Sequence, residues 1–252
     1  MFTGLLAIAP GQSGSKPENV VITTGKEKTL VQEDEKGQLV INVSLKDVRK
    51  FKSRGFVGYS DFGAAGDGKT DDINAIAATH AFANQYELAV KVEGDATYYI
   101  GARSRTAVIR TDTDFGKASF IIDDTAVENR NTPVFMVNSG LQPIKPEGLT
   151  SLKRNQEKIN LSFPATCIVT VTNSNVKRYI RYGANQNNGS SQTDIFVVDR
   201  DGRVDMKAPI IWDFDKITDI TALPIDEKVL TIRGGRFTTI ANKAESKYTY
   251  YS

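Results

Sequence analysis

The residues with the clearest chemical potential lie in one short segment late in the chain. Trp212, the only tryptophan, is followed by Asp213 and Asp215. On a β-strand, residues i and i+2 face the same side about 7 Å apart, within the roughly 5–9.5 Å that separate the two carboxyl groups of glycosidases. Because sugar rings stack on indoles, the segment predicts a carbohydrate site in which Trp212 binds substrate and the two aspartates are catalytic. The alternative is that Trp212 belongs to the core and the aspartates are surface or turn residues.

A pair of arginines further along adds a second set of candidates. Arg233 and Arg236 flank the dipeptide Gly234-Gly235, which is typical of a tight turn. A guanidinium group neutralises a uronate carboxylate well, and in a lyase an arginine acts as the base. We therefore assign Arg233 a catalytic role and Arg236 a substrate-binding role. The alternative is that both arginines are solvated at a corner of the fold.

Four carboxylates near the N-terminal third resemble a calcium site by composition: Asp61, Asp67, Asp71 and Asp72. Two of them suit the positive end of a helix dipole, and Asp67 lies between turn glycines. Capping and turn roles are therefore favoured over calcium binding, and no metal site is predicted.

The remaining reactive residues favour structural roles. His80 is the only histidine and sits on an apolar helical face, which predicts a hydrogen-bonded core residue rather than a general base. Cys167 is the only cysteine, so an intramolecular disulfide and a cysteine-clustered zinc site are excluded. A net charge of +2 over 252 residues gives no indication of nucleic-acid binding.

The secondary-structure elements are predicted most clearly in one stretch, residues 59–100. It reads as a strand, a glycine-rich turn (Phe62-Gly63 to Asp72), a helix over about Asp72–Asn84, and two more strands. Thr70 is the predicted N-cap of the helix. The helix is apolar nearly all round, which is typical of burial on two sides, and we expect the preceding segment to cover Phe82.

This stretch resembles the N-terminal signature of the pectate-lyase-like superfamily of right-handed parallel β-helices. The resemblance implies an all-β right-handed parallel β-helix, a solenoid, with an N-terminal capping helix. Short apolar segments after Asn84, two of them repeating at a 22-residue interval, agree with that expectation. We expect an inserted or lateral β element within it, and a chain that is truncated at its C-terminus.

The predicted organisation has five parts. Residues 1–19 are a signal remnant or linker, or else an artefact of the gene start; 20–57 are an N-terminal β segment, and 58–139 hold the cap helix and the first rungs. Residues 140–206 form the inserted β element with long loops, and 207–252 hold further rungs. We expect Asp199–Gly202 to be a hairpin turn inside the inserted element.

The resemblance implies a secreted, periplasmic or cell-surface protein that acts on an acidic polysaccharide as a polysaccharide lyase or glycoside hydrolase. Whether this chain is an active enzyme stays open, because the catalytic rungs of such proteins generally follow the cap. The alternative is a non-enzymatic carbohydrate-binding or adhesion module, such as the stem of a viral tail spike. We expect no cofactor, except Ca²⁺ if the protein is a lyase, no nucleic-acid partner and no membrane span. A monomer is expected, or a trimer if the protein is spike-like.

Overall fold

The computed structural model describes residues 20–25, 28–101, 105–127, 132–183 and 186–242. The chain forms two compact units, one of residues 1–138 with 230–252 and one of residues 139–229. The predicted linker 1–19 lies outside the described residues. Residues 207–229, which the sequence assigned to later rungs, belong to the second unit.

The described elements are, in chain order, β1 (Val20–Gly25), β2 (Leu30–Glu33), β3 (Leu39–Ser44), α1 (Leu45–Arg54), β4 (Phe56–Val57), a 3₁₀ turn (Tyr59–Phe62), β5 (Asp67–Asp71), α2 (Ile73–Tyr86), β6 (Ala89–Lys91), β7 (Thr97–Ile100), β8 (Ala107–Ile109), β9 (Thr113–Asp114), β10 (Ser119–Asp123), β11 (Phe135–Val137), β12 (Cys167–Arg178), β13 (Ser190–Val198), β14 (Asp219–Pro224), β15 (Ile232–Arg233) and β16 (Arg236–Ile240).

The first unit opens with a small sheet in the order β1-β3-β2, in which β1 runs parallel and β2 antiparallel to β3. Helix α1 follows directly. The Oγ atom of Ser44 caps it by accepting from the Asp47 amide at 3.0 Å, and Gly55 ends it with φ 76°. The sequence did not predict α1, because only Val48 and Phe51 of this charged segment are buried.

Helix α2 is buried nearly all round, as its sequence predicted. Its N-cap position is Asp72, so the prediction of Thr70 was wrong. Thr70 instead ends a turn in β5, where its amide donates to Oδ1 of Asp67 at 2.8 Å. Phe51 of α1 packs edge-on against Phe82, with ring centroids 5.7 Å apart, so the segment before α2 covers Phe82 as expected.

Three small parallel sheets complete the first unit, in the orders β4-β6-β9-β15, β5-β7-β10-β16 and β8-β11. Tyr98, Phe120 and Phe237 occupy in-register positions of β7, β10 and β16. Their rings stack with centroids 5.3 and 4.8 Å apart, and Phe115 and Phe135 pack edge-on against Phe120. The stack runs from the core, where Tyr98 and Phe120 are buried, to the surface, where Phe237 is 47 % exposed.

The second unit is built on an antiparallel sheet in the order β13-β12-β14. Alternate residues of β12, namely Cys167, Val169 and Val171, are fully buried, which confirms the prediction of a buried Cys167. The predicted turn at Asp199–Gly202 is also confirmed, since Oδ1 of Asp199 accepts from the amides of Asp201 and Arg203 at 2.9 and 2.8 Å.

The prediction of an all-β parallel β-helix is wrong. The described residues form a mixed structure of several small parallel sheets, an antiparallel sheet and two α-helices, with no solenoid among them. The physical reason is that the stretch of residues 59–100 determines only a local strand–helix–strand arrangement. Outside it the strands vary from two to twelve residues, and the β1–α1 segment and the second unit have their own local packing. Among the described residues, no helix has the length and apolar character required to cross a membrane.

Candidate functional site

The residues that the sequence singled out for chemistry are divided between the two units. Trp212, Asp213 and Asp215 belong to the second unit, whereas Arg233 and Arg236 belong to the first.

The segment around Trp212 does not form the strand that its prediction assumed. It is an irregular loop held by Asp194, which is 5 % exposed and accepts from the amides of Ile211 and Trp212 at 2.8 and 3.3 Å. Trp212 packs against the core of the second unit, and the guanidinium of Arg178 lies 4.4 Å from the centroid of its ring. Phe214, between the two aspartates, is buried and forms an isolated antiparallel bridge with Leu152, while Asp213 and Asp215 are both exposed.

The two aspartates beside Trp212 have separate partners. Oδ1 of Asp213 accepts from the Arg154 amide at 2.9 Å and so fixes a neighbouring loop. Asp215 is 91 % exposed and forms an ion pair with Lys153 at 3.4 Å. Both aspartates thus have partners in the segment of residues 153–154.

In the first unit, one of the parallel sheets presents a row of functional side chains. Val57, Val90 and Thr113 point into the core and are 0, 0 and 2 % exposed. Because side chains alternate along a strand, the neighbouring positions point outward. Lys91, Asp114 and Arg233 are in-register partners on β6, β9 and β15 and lie side by side.

Asp114 orients Arg233. Nε and Nη2 of Arg233 donate to Oδ2 of Asp114 at 3.0 and 2.7 Å, and Oδ1 of Asp114 accepts from the Gly116 amide at 3.0 Å. The Gly116 amide, and after it Arg233, lowers the pKa of Asp114. Arg233 remains 71 % exposed, so a guanidinium held in one direction faces solvent.

Phe56 extends this row on the opposite side, towards α1. The Arg54 guanidinium lies 4.3 Å from the centroid of its ring, and Nζ of Lys91 lies 4.8 Å from it. Arg54 also forms an ion pair with Asp61, whose Oδ2 accepts from the Gly58 amide at 2.8 Å. We call Arg54, Phe56, Lys91, Asp114 and Arg233 the charged face.

A cleft of about 160 Å³ adjoins the charged face. Arg54, Phe56 and Lys91 belong to both, and the cleft is completed by polar, aromatic and small residues: Gly58, Tyr59, Ser60, Asp61, Ala64, Ala65, Gly66, Glu93, Ala96 and Tyr98. At Gly66 φ is 61°, and a Cβ atom would lie 3.0 Å from Cβ of Ala96, so the wall needs a glycine here. The cleft thus combines hydrogen-bond donors, acceptors and aromatic rings.

Beneath the cleft lies the pair of Tyr59 and His80. The Tyr59 hydroxyl and Nε2 of His80 are 2.9 Å apart, and both side chains are buried. Burial raises the pKa of Tyr59 well above its ordinary value and lowers the pKa of His80 to about 3, so both stay neutral at pH 7. This confirms the prediction that His80 is a hydrogen-bonded core residue.

The acidic cluster also has the structural roles that the sequence favoured. Oδ1 of Asp67 accepts from the Lys69 and Thr70 amides, both at 2.8 Å. Asp72 accepts from the Ala65 and Gly66 amides at 2.7 and 3.1 Å and so fastens the turn onto α2. Within the described ranges, no group of three or more His, Cys, Asp or Glu side chains is placed to hold a metal ion.

Arg236 lies apart from the charged face. It begins β16, in register with Ser119 of β10, and therefore belongs to the other four-stranded sheet. The turn between it and Arg233 requires glycine, because Gly234 has φ 78° and a Cβ atom there would lie 2.6 Å from the carbonyl oxygen of Gly116.

Sequence reasoning found only Arg233 of the charged face. The alternation of Val90, Lys91 and Val92 signals an outward lysine, and this was the one available clue to Lys91. Asp114 gave no signal, because its partner on β15 is 119 residues away. Arg54 and Phe56 lay beside a helix that was not predicted.

No protein-family model and no curated protein matches the sequence.

Proposed function

We propose that the protein binds a polysaccharide carrying uronate groups on the charged face of its first unit. The observation that supports this most strongly is the in-register row of Lys91, Asp114 and Arg233, extended by the ring of Phe56. A polysaccharide ligand also favours a secreted, periplasmic or cell-surface location.

The spacing of the row suits an extended polymer. Neighbouring strands lie about 4.8 Å apart, so Lys91 and Arg233, separated by one strand, are roughly 9.6 Å apart along the pairing direction. That distance is close to the length of a disaccharide. Carboxylates on alternate sugars would then meet one cation each.

The chemistry of each side chain also suits a sugar acid. Lys91 forms no ion pair with any residue that the structure describes, so its ammonium group is available to a ligand carboxylate. Arg233 is held by Asp114 yet largely exposed, and a fixed guanidinium binds a carboxylate through paired hydrogen bonds. Phe56 provides an apolar ring for the C–H face of a sugar, and the cleft supplies donors and acceptors for hydroxyl groups.

Binding tests this proposal directly. We expect Lys91→Ala and Arg233→Ala each to weaken binding of polygalacturonate roughly 10- to 150-fold, since each removes a charged hydrogen bond. Isothermal titration calorimetry measures the loss. Lys46→Ala, an exposed lysine on α1, is the matched control and should bind like the wild type. Equal binding by all four proteins would contradict the proposal.

Cleavage by β-elimination is the second candidate function. It is favoured by the position of Lys91 and Arg54 on one cleft, where an amine could take the proton α to a uronate carboxyl while a guanidinium neutralises the carboxylate. The C–O bond to the next sugar then breaks, a C=C bond forms, and the leaving oxygen takes up the proton that the amine has accepted. Ultraviolet absorbance of unsaturated products from polygalacturonate would establish a lyase, with or without added Ca²⁺. Binding without such products or new reducing ends would favour an adhesion module.

A further inference from the structure

The second unit carries an unusual hairpin tip between β12 and β13. We use this name for residues 174–183 and 186–191. From residue 174 to residue 191 the sequence contains three basic residues, Lys177, Arg178 and Arg181, and no aspartate or glutamate. The tip also exposes aromatic rings, since Tyr179 and Tyr182 are 81 and 87 % exposed.

The conformation of the tip is specified by its sequence. Tyr179 has φ 53°, a left-handed conformation that is uncommon for a tyrosine. Gly189 has φ 81°, and a Cβ atom there would lie 2.6 Å from the carbonyl oxygen of Arg178. The Gly189 amide donates to Oδ1 of Asn187 at 2.9 Å, and the Asn187 amide donates to the carbonyl of Arg181 at 3.3 Å. These contacts hold the exposed tyrosines on a shaped loop.

The cations of the tip lack carboxylate partners within the described part of the chain. Nζ of Lys177 donates to the Ser191 hydroxyl at 3.3 Å. Arg178 lies over the ring of Trp212, and its Nε atom is buried without a hydrogen-bond partner. With Arg181, the tip thus presents three positive charges that no described acid neutralises.

We propose that the hairpin tip is a second contact surface for an anionic polysaccharide, separate from the charged face. The tyrosine rings would stack on the C–H faces of sugars, and the cations would contact carboxylate or sulfate groups. Gln186 and Asn188 are exposed amides that both donate and accept, as hydroxyl groups require. A DNA backbone offers acceptors only, and an anionic membrane gains little from three basic residues around one half-exposed isoleucine, Ile180.

The test uses the full chain and the double variant Tyr179→Ala/Tyr182→Ala. We expect affinity for polygalacturonate to fall at least about fivefold, as for exposed aromatic contacts at interfaces, and Arg181→Ala to lower it further. Tyr179→Phe/Tyr182→Phe keeps both rings and should keep most of the affinity. Because both tyrosines are exposed, Trp212 fluorescence should report an unchanged unfolding midpoint.

The competing outcomes are distinct. Unchanged polygalacturonate binding by the double alanine variant would overturn the proposal. So would tip-dependent binding of oligodeoxythymidylate, or of phosphatidylserine vesicles, in place of polygalacturonate. If only the tip variants lose affinity while Lys91→Ala and Arg233→Ala bind normally, the tip proposal stands and the charged-face proposal fails. If Lys91→Ala and Arg233→Ala lose affinity while the tip variants bind normally, the charged-face proposal stands and the tip proposal fails.

Discussion

The two units of the chain hold their strands together in different ways. The first pairs strands of two to six residues in mostly parallel sheets, and stacked aromatic rings fill the space between them. The second pairs strands of twelve, nine and six residues in one antiparallel sheet over a largely aliphatic core. The comparison teaches that short parallel strands depend on side-chain packing and a helix, whereas long antiparallel strands carry more of their stability in the ladder itself.

The two proposed binding regions also differ in how their positively charged side chains are held. On the charged face, Asp114 and Asp61 balance two arginines and fix their directions. At the hairpin tip the cations have no acidic partners among the described residues, and the loop backbone alone sets their positions. The first arrangement favours selective recognition, and the second favours attraction to any strongly anionic glycan.

The largest expected effect comes from emptying the aromatic core. Phe120→Ala should destabilise the first unit by about 3–5 kcal/mol, because this ring is fully buried and central to the stack. Phe196→Ala, also fully buried, is the matched change in the second unit. Hydrogen exchange of β10 amides reports the first unit, and fluorescence of Trp212, the only tryptophan, reports the second. Equal loss at both probes for either variant would show that the units unfold together.

A smaller but still large effect should follow from adding one methyl group at a close backbone contact. Gly234→Ala should destabilise the first unit by more than about 2 kcal/mol, since it combines a left-handed backbone with a clash against Gly116. Gly55→Ala has nearly the same φ but open space around its Cβ position, so only about 1 kcal/mol is expected. Urea unfolding separates the two. Similar losses would mean that backbone conformation, and not the close contact, determines the requirement for glycine.

The next effect distinguishes the units by pH. His80 has a folded pKa of about 3 and an unfolded pKa near 6.5, so below pH 6.5 the unfolded chain binds a proton that the folded unit does not. The free energy of unfolding of the first unit should then fall by up to about 1.4 kcal/mol for each unit by which the pH is lowered, from about pH 6.5 to 4.5.

The second unit contains no histidine, and it should lack this dependence. His80→Gln, which keeps a polar partner for Tyr59, should remove it from the first unit. Urea titrations at about pH 7 and pH 5 measure both slopes. A slope that survives in the variant would assign the dependence to another group.

The smallest expected effects come from single carboxylates. Asp215→Asn should change stability by less than about 0.5 kcal/mol, because its ion pair with Lys153 is exposed. Asp114→Asn should destabilise the first unit by about 1 kcal/mol through weaker bonds to Gly116 and Arg233, and should also weaken polygalacturonate binding. Thermal unfolding compares the two. A larger loss of stability for Asp215→Asn than for Asp114→Asn would show that Asp215, and not Asp114, holds its surroundings in place.

The sequence predicted features that local patterns encode. The burial of α2, the structural role of His80, the turn at Asp199–Gly202 and the burial of Cys167 each depend on neighbouring residues and were confirmed. Helix α1 was missed because a single apolar turn of Val48 and Phe51 gives little periodicity.

Features that depend on distant pairing were not predictable in this way. The charged face needs β9 beside β15, and no local pattern joins Asp114 to Arg233. The segment of Trp212 looked like a strand, but Asp194 holds it as a loop from 17 residues away. The solenoid was wrong for the same reason: a local motif was extended to strands whose partners the sequence does not specify.

The return of the chain to the first unit also constrains its synthesis. β9 and β10 precede the second unit, yet their neighbours β15 and β16 follow it, with 119 residues between Asp114 and Arg233. At roughly 5–20 residues per second, a ribosome needs about 6–24 s to add that length. During this interval the stacked ring of Phe120 lacks the cover of Phe237, and two strand edges stay open. The parallel sheets of the first unit can therefore be completed only after residue 240 has left the exit tunnel.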